Sequence, residues 1–146
     1  MCSSDLPSLG KGFDVLREAL FTIAREHPDA RFLVFGRTRP HDAFPAGTEY
    51  VWTPEWDEVP MLYRRMDVFL HASRREGWGL PPMEAMAAGC ALVTTPTGGV
   101  PEFADATSAV FVPIGDAAAL AAAAGELLRD PVRRAALGEE IGRAHV

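Results

Sequence analysis

The sequence predicts an α/β chain built on a doubly wound, Rossmann-like parallel sheet. Two observations point there. The short runs RFLVFG (31–36), DVFLHAS (67–73) and CALVTT (90–95) are apolar almost throughout rather than alternating, the pattern of strands buried on both faces. Segments with helical spacing separate them, as crossovers between parallel strands require.

The elements follow in order. Phe13, Leu16, Leu20 and Ile23 recur at helical spacing in GFDVLREALFTIAREHP, and His27 and Pro28 stop that helix. RFLVFG is a buried strand closed by Gly36, RTRPHDAFPAG a polar loop, and EYVWT a second strand. DEVPMLYRRM reads as a short helix with Asp57 as its N-cap and Pro60 in its first turn. DVFLHAS is a third strand, PPMEAMAAG a helix with proline at its start and Gly89 at its end, and CALVTT a fourth strand. VPEFA is a short helix or turn, and SAVFVP a fifth strand. Asp116 caps a helix through GDAAALAAAAGELLRD, and PVRRAALGEE opens another.

With 146 residues, 48% of them hydrophobic, the chain has the length of one domain and can bury a full core. A net charge of −6 argues against nucleic acid as a partner, and against an anionic membrane held by bulk charge. No apolar run approaches the roughly 20 residues of a membrane span. The first residues lack the basic-then-apolar pattern of a secretory leader. The expected localisation is cytoplasmic, with peripheral membrane association left open for a full-length protein. Two cysteines make no disulfide framework, and Cys90, inside an apolar run, reads as a small buried residue.

The ends break the pattern beside them. MCSSDL and IGRAHV resemble translations of one sequencing-adapter oligonucleotide read in opposite orientations. The expected division is therefore residues 1–6 and 141–146 as adapter-derived, and residues 7–140 as a fragment of a longer gene.

Ligands of such sheets sit at the carboxyl ends of the strands, so the loops there carry the candidates. SRREGWGLPP leaves a strand and enters a helix. Gly77 and Gly79 allow close approach of a ligand, and a helix start supplies unpaired N–H groups, which together suit a phosphate. The same residues also fit a plain Gly/Pro-rich connection. Glu84 falls near the third position of the helix, where it either complements the helix dipole or accepts bonds from sugar hydroxyls. Glu76 lies in the loop, exposed or chemical. Lys11 precedes the first helix, solvated or reaching a phosphate. TPTGGVPE (95–102) is a second glycine-rich loop. His71 reads as a hydrogen-bonded packing residue rather than a base. Trp52 and Trp56 flank a loop after a strand and suit core or rim packing better than stacking on a base. No Cys/His metal spacing, P-loop or serine elbow occurs.

The stretch EGWGLPPMEAMAAG resembles the Glu-x(7)-Glu signature of retaining GT-B glycosyltransferases, in particular glycosyltransferase family 4. Lys11 and Gly12, the strand DVFLHAS, the strand ALVTT and the loop TGGVPE are similar to that family in order and spacing. The resemblance implies the C-terminal, donor-binding half of a GT-B fold, truncated on its N-terminal side. It implies a nucleotide diphosphate-sugar as donor substrate, no cofactor and no metal. Lys11 would contact the donor diphosphate, and backbone N–H groups of Gly79 and Leu80, with Gly77 beside them, would cradle it. Glu84 would bond the ribose, and the loop near Thr53 would line the base pocket. Glu76 is the implied catalytic residue, read as an electrostatic group rather than a nucleophile. An acceptor glycan or lipid would be bound by an N-terminal domain that this chain lacks, so the fragment would be inactive alone. The alternative is a stand-alone nucleotide-sugar-binding module working with a separate acceptor subunit. The chain departs from the family in three places. The family's arginine about six positions ahead of the lysine falls on Asp5, the strand before Lys11 is expected to be missing, and RTRP replaces a second glycine after Gly36.

Overall fold

A computed structural model describes residues 2–3, 9–37 and 43–144. The expectations at Asp5 and at Thr38 to Pro40 lie outside the described residues. The elements run β1 (Cys2–Ser3), α1 (Phe13–Glu26), β2 (Leu33–Gly36), β3 (Glu49–Trp52), α2 (Val59–Arg64), β4 (Val68–His71), α3 (Leu80–Ala87), β5 (Ala91–Thr94), α4 (Val100–Phe103), β6 (Ala109–Phe111), α5 (Ala117–Arg129) and α6 (Pro131–Ala144). Every described ladder is parallel.

The strands form two ladders of three, in the orders β1-β2-β3 and β4-β5-β6. That sequence of strands is the doubly wound one, with β1 and β4 flanking the switch point. The strand expected to be missing ahead of Lys11 is present as two residues, because Cys2 and Ser3 pair with Phe35 and Gly36. Among the described residues no ladder joins β1 to β4.

Alternation along the strands divides the core into two layers. Val68, Leu70, Ala91 and Val93 face the helices α1 and α5. Phe69 and Leu92, between them in sequence, face α2, α3 and α4. A strand with apolar residues at every position satisfies both layers, which is why these runs lack a polar face.

The helices follow their patterns with two corrections. α1 buries Val15, Leu16, Ala19, Leu20 and Ile23 along one stripe. Asp116 caps α5, its carboxylate accepting the Ala119 N–H at 2.8 Å. Asp57 is not the cap of α2. Glu58 holds that position, and its carboxylate accepts the Glu55 N–H at 2.8 Å instead. Glu84 is the fifth residue of α3, not near the third, because the helix already begins at Leu80. There it stands past the first turn, where the dipole effect has faded.

Candidate functional site

The predicted residues converge on the carboxyl end of the sheet. Gly10, Lys11 and Gly12 cross the end of β4, and the N–H groups of Arg74 and Arg75 donate to the Gly10 carbonyl at 2.8 and 3.1 Å. Gly12 has φ +65°, and a Cβ there would stand 1.9 Å from the Ala72 carbonyl oxygen. No other residue fits. Arg74 clamps the same junction with two bonds to the Asp14 carboxylate at 2.7 and 2.8 Å. The Arg74 hydrogen bonds hold the Asp14 carboxyl down at about 2.

Glu76 is the centre of the arrangement. Its side chain is 7% exposed, against 38% for Lys11. Lys11 Nζ donates to Oε1 and Oε2, both at 3.0 Å. Ser73 Oγ donates to Oε1 at 2.7 Å, and His71 Nε2 lies 3.2 Å from the same oxygen. A carboxylate only accepts, so that His71 nitrogen carries the proton. Its other nitrogen, Nδ1, lies 2.8 Å from Thr94 Oγ1. Burial pushes the Glu76 carboxyl up, but the bonds from His71, Ser73 and Lys11 and the Lys11 charge outweigh it and hold the group at about 2. Glu76 is therefore a fixed buried anion rather than a solvated loop residue.

The loop carrying Glu76 rests on the TPTGGV loop. Gly99 N–H donates to the Gly77 carbonyl at 2.8 Å. A Cβ on Gly98 would stand 2.4 Å from the Glu76 carbonyl oxygen, so a side chain there would force the two loops apart. The Thr95 hydroxyl donates to the Ser73 carbonyl at 2.6 Å. Gly79 is the N-cap of α3 and Leu80 its first residue. Pro81 and Pro82 follow and have no N–H, so Gly79 and Leu80 supply the donors of that helix start.

The remaining predicted residues stand elsewhere. Glu84 accepts the Tyr63 hydroxyl at 3.0 Å and does not join Glu76. Tyr63 is fully buried, edge-on to Phe35 and Phe69. Thr53 follows β3, and its N–H donates to the Gly36 carbonyl at 2.7 Å. Apart from glycines it alone among the described residues has a positive φ, 53°. A β-branched residue there is a backbone outlier of the kind that gathers at ligand sites. Trp52 and Trp56 are not core residues: they are 50% and 80% exposed, and the Trp52 indole donates to the Arg37 carbonyl at 3.0 Å. His71, within the Glu76 cluster, is buried and hydrogen-bonded as expected. Cys90 is buried, donates to the Tyr63 carbonyl at 3.1 Å, and has its thiol pushed up to about 11 by burial.

Ser73, Thr94, Thr95 and Tyr63 are neighbours of the candidate residues that the sequence did not single out. The one available signal was chemical: two threonines close an apolar strand, where burial without a partner would be costly. Among the described residues no three His, Cys, Asp or Glu side chains gather as a metal site. No described helix is long and apolar enough to cross a membrane.

Known proteins share this arrangement of chain. The GDP-mannose-dependent monoacylated alpha-(1-6)-phosphatidylinositol monomannoside mannosyltransferase of Corynebacterium glutamicum is 29% identical over 150 aligned positions, covering 93% of this chain and 39% of that protein. The chain thus spans about two-fifths of the length of that relative. The crystal structure of the C-terminal domain of a glycosyl transferase group 1 family protein (LpcC) from Francisella tularensis matches with a TM-score of 0.80 and 25% identity, over 94% of this chain and 78% of that one. The fold is also that of Anabaena Alr3699/HepE, solved in complex with UDP-glucose, with a TM-score of 0.75 and 19% identity, over 94% of this chain and 41% of that one. The family model for glycosyl transferases group 1 matches residues 1–130, and the chain belongs to that family.

Proposed function

We propose that this chain is the donor-binding half of a retaining glycosyltransferase that moves a sugar from a nucleotide diphosphate-sugar to an acceptor held by another domain. The carrying observation is the buried, ionised Glu76 held by Lys11, His71 and Ser73 beside the start of α3. A leaving diphosphate gains negative charge as the glycosidic bond breaks. Lys11 and the N–H groups of Gly79 and Leu80 are placed to stabilise it. Glu76 serves as an electrostatic group. Both of its oxygens are already engaged, and a carboxylate held so far down is a poor nucleophile. It orients Lys11, and it presents negative charge towards a sugar that becomes cationic. Glu84, oriented by Tyr63, accepts ribose hydroxyls, and the strained turn at Thr53 lines the base pocket. Transfer needs the acceptor-holding domain as well as these residues.

The test has two stages. GDP-mannose and UDP-glucose are titrated into the chain by calorimetry and thermal shift, since a ligand that binds only the native state raises its stability. The full-length protein is then given the donor that binds, and the anomeric configuration of the product is read by NMR. Retention, with no transfer by the 146-residue chain, is the expected result. An inverted product, or robust transfer by the chain alone, would sink the proposal.

A further inference from the structure

The last residues of β4 and β5 break the apolar pattern of their strands. His71 and Thr94 are register partners, opposite each other in the parallel ladder. His71 is 6% exposed and Thr94 is fully buried. Polar side chains at such depth are costly unless they find partners. These two find each other, in a line that ends on Glu76. Thr94 Oγ1 lies 2.8 Å from His71 Nδ1, and His71 Nε2 lies 3.2 Å from Glu76 Oε1.

The direction of that line follows from the anion. Glu76 only accepts, so Nε2 carries the ring proton, and Nδ1 of the neutral ring accepts. The Thr94 hydroxyl has one proton and two acceptors in reach, His71 Nδ1 at 2.8 Å and the Thr95 carbonyl at 3.2 Å. The shorter contact takes it. Thr94 therefore donates to His71, and His71 donates to Glu76. The ring is held from both edges, which fixes its tautomer and its plane.

The load on the carboxylate is uneven. Oε1 accepts from Ser73 Oγ at 2.7 Å, from Lys11 Nζ at 3.0 Å and from His71. Among the described residues Oε2 accepts only from Lys11, at 3.0 Å. The buried His71 and Ser73 thus anchor one oxygen to the sheet, and the other is left to the partly exposed lysine.

We infer that the buried Thr94–His71 pair is a positioning unit for Glu76, which locks Oε1 against the sheet and so turns Oε2 towards Lys11 and the bound donor. Both residues act through Glu76 rather than by touching the donor. What Oε2 faces depends on the donor reading proposed above, whereas the relay stands on the geometry alone.

Two substitutions test it. Thr94→Val keeps the branched shape and removes the hydroxyl; Thr94→Ser keeps the hydroxyl. The His71 ring of each isotope-labelled 146-residue chain is read by NMR near neutral pH, without donor. In the parent chain and in Thr94→Ser the ring should hold one proton, on Nε2, with a sharp and slowly exchanging signal. In Thr94→Val that signal should broaden or vanish as the ring loses its anchor. In the full-length protein Thr94→Val should lower kcat roughly tenfold while donor Kd stays within about twofold. Thr94→Ser should recover most of the rate that Thr94→Val loses. A parent ring protonated on Nδ1 or on both nitrogens, a ring held equally well in Thr94→Val, an unchanged kcat, or a fall in kcat matched by a fall in donor affinity would each overturn the inference. Should no nucleotide-sugar bind while the ring behaves as expected, the donor reading fails and the relay stands.

Discussion

Lys11 and Glu76, separated by 65 positions in the chain, meet at the carboxyl end of the sheet with the lysine Nζ 3.0 Å from both carboxylate oxygens. The cation bridges the turn before α1 and the loop after β4. On the proposed function, it neutralises Glu76 without donor and shares itself with the diphosphate when donor binds. Lys11→Met removes the charge and keeps the stem. The expected effects are a loss of about 1–3 kcal/mol of stability, because a buried carboxylate loses its partner, and a rise in donor Kd of roughly 10–100-fold. Denaturant unfolding and calorimetry measure the two. Unchanged donor affinity would remove Lys11 from the diphosphate site.

The pH dependence follows from the same pair. Glu76 titrates at about 2 in the folded chain against an ordinary 4.5. Its folded value is depressed, so its contribution is complete above about 4.5 and is lost as pH falls towards 2. Asp14, held down by Arg74, adds in the same direction. The contribution of Glu76 at neutral pH is on the order of 2–3 kcal/mol. Urea unfolding from pH 7 to pH 3 should show stability falling below about pH 4.5, and Glu76→Gln should flatten that slope. An equal slope in Glu76→Gln places the acid sensitivity elsewhere.

On the proposed function, Glu76→Gln also separates chemistry from binding in the full-length protein. With Glu76 as an electrostatic group, turnover should drop by about 10²-fold or more while donor Kd changes little. Normal turnover in this variant would rule out the assigned role.

Tyr63 and Glu84 give a different signature. The Tyr63 hydroxyl, buried among Phe35 and Phe69, holds the Glu84 carboxylate at 3.0 Å. Tyr63→Phe keeps the ring packing and removes the bond. It should cost about 1 kcal/mol of stability and weaken donor binding roughly 3–10-fold by loosening Glu84. Glu84→Ala should weaken it further. Donor affinity that resists both substitutions would place the ribose elsewhere.

Thr53 carries backbone strain at φ 53°. Thr53→Gly relieves it, against the larger chain entropy of an unfolded glycine, for a net gain of about 0.5–1 kcal/mol. Gly12→Ala is the opposite case, because its Cβ would meet the Ala72 carbonyl oxygen at 1.9 Å. It should cost more than about 3 kcal/mol or prevent folding. Thermal unfolding of the two variants decides both signs.

The sequence by itself determined the alternation of buried strands and helices, the cap at Asp116 and the loop-to-helix passage through EGWGLPPME. These depend on spacing along the chain, on proline's missing N–H and on glycine's missing Cβ, all local properties. It misplaced what depends on neighbours. Asp57 looked like a cap until Glu58 stood in its place, and Glu84 moved into the second turn because α3 starts before its prolines. Only the tertiary structure decided that Glu76 is a buried anion, since its partners arrive from α1's entry turn, β4 and the loop after β4. The contact of Tyr63 with Glu84 was equally beyond the sequence. A side chain's charge and burial are set by the register in which parallel strands align, and parallel register is fixed by packing on both faces of the sheet rather than by any one strand's pattern.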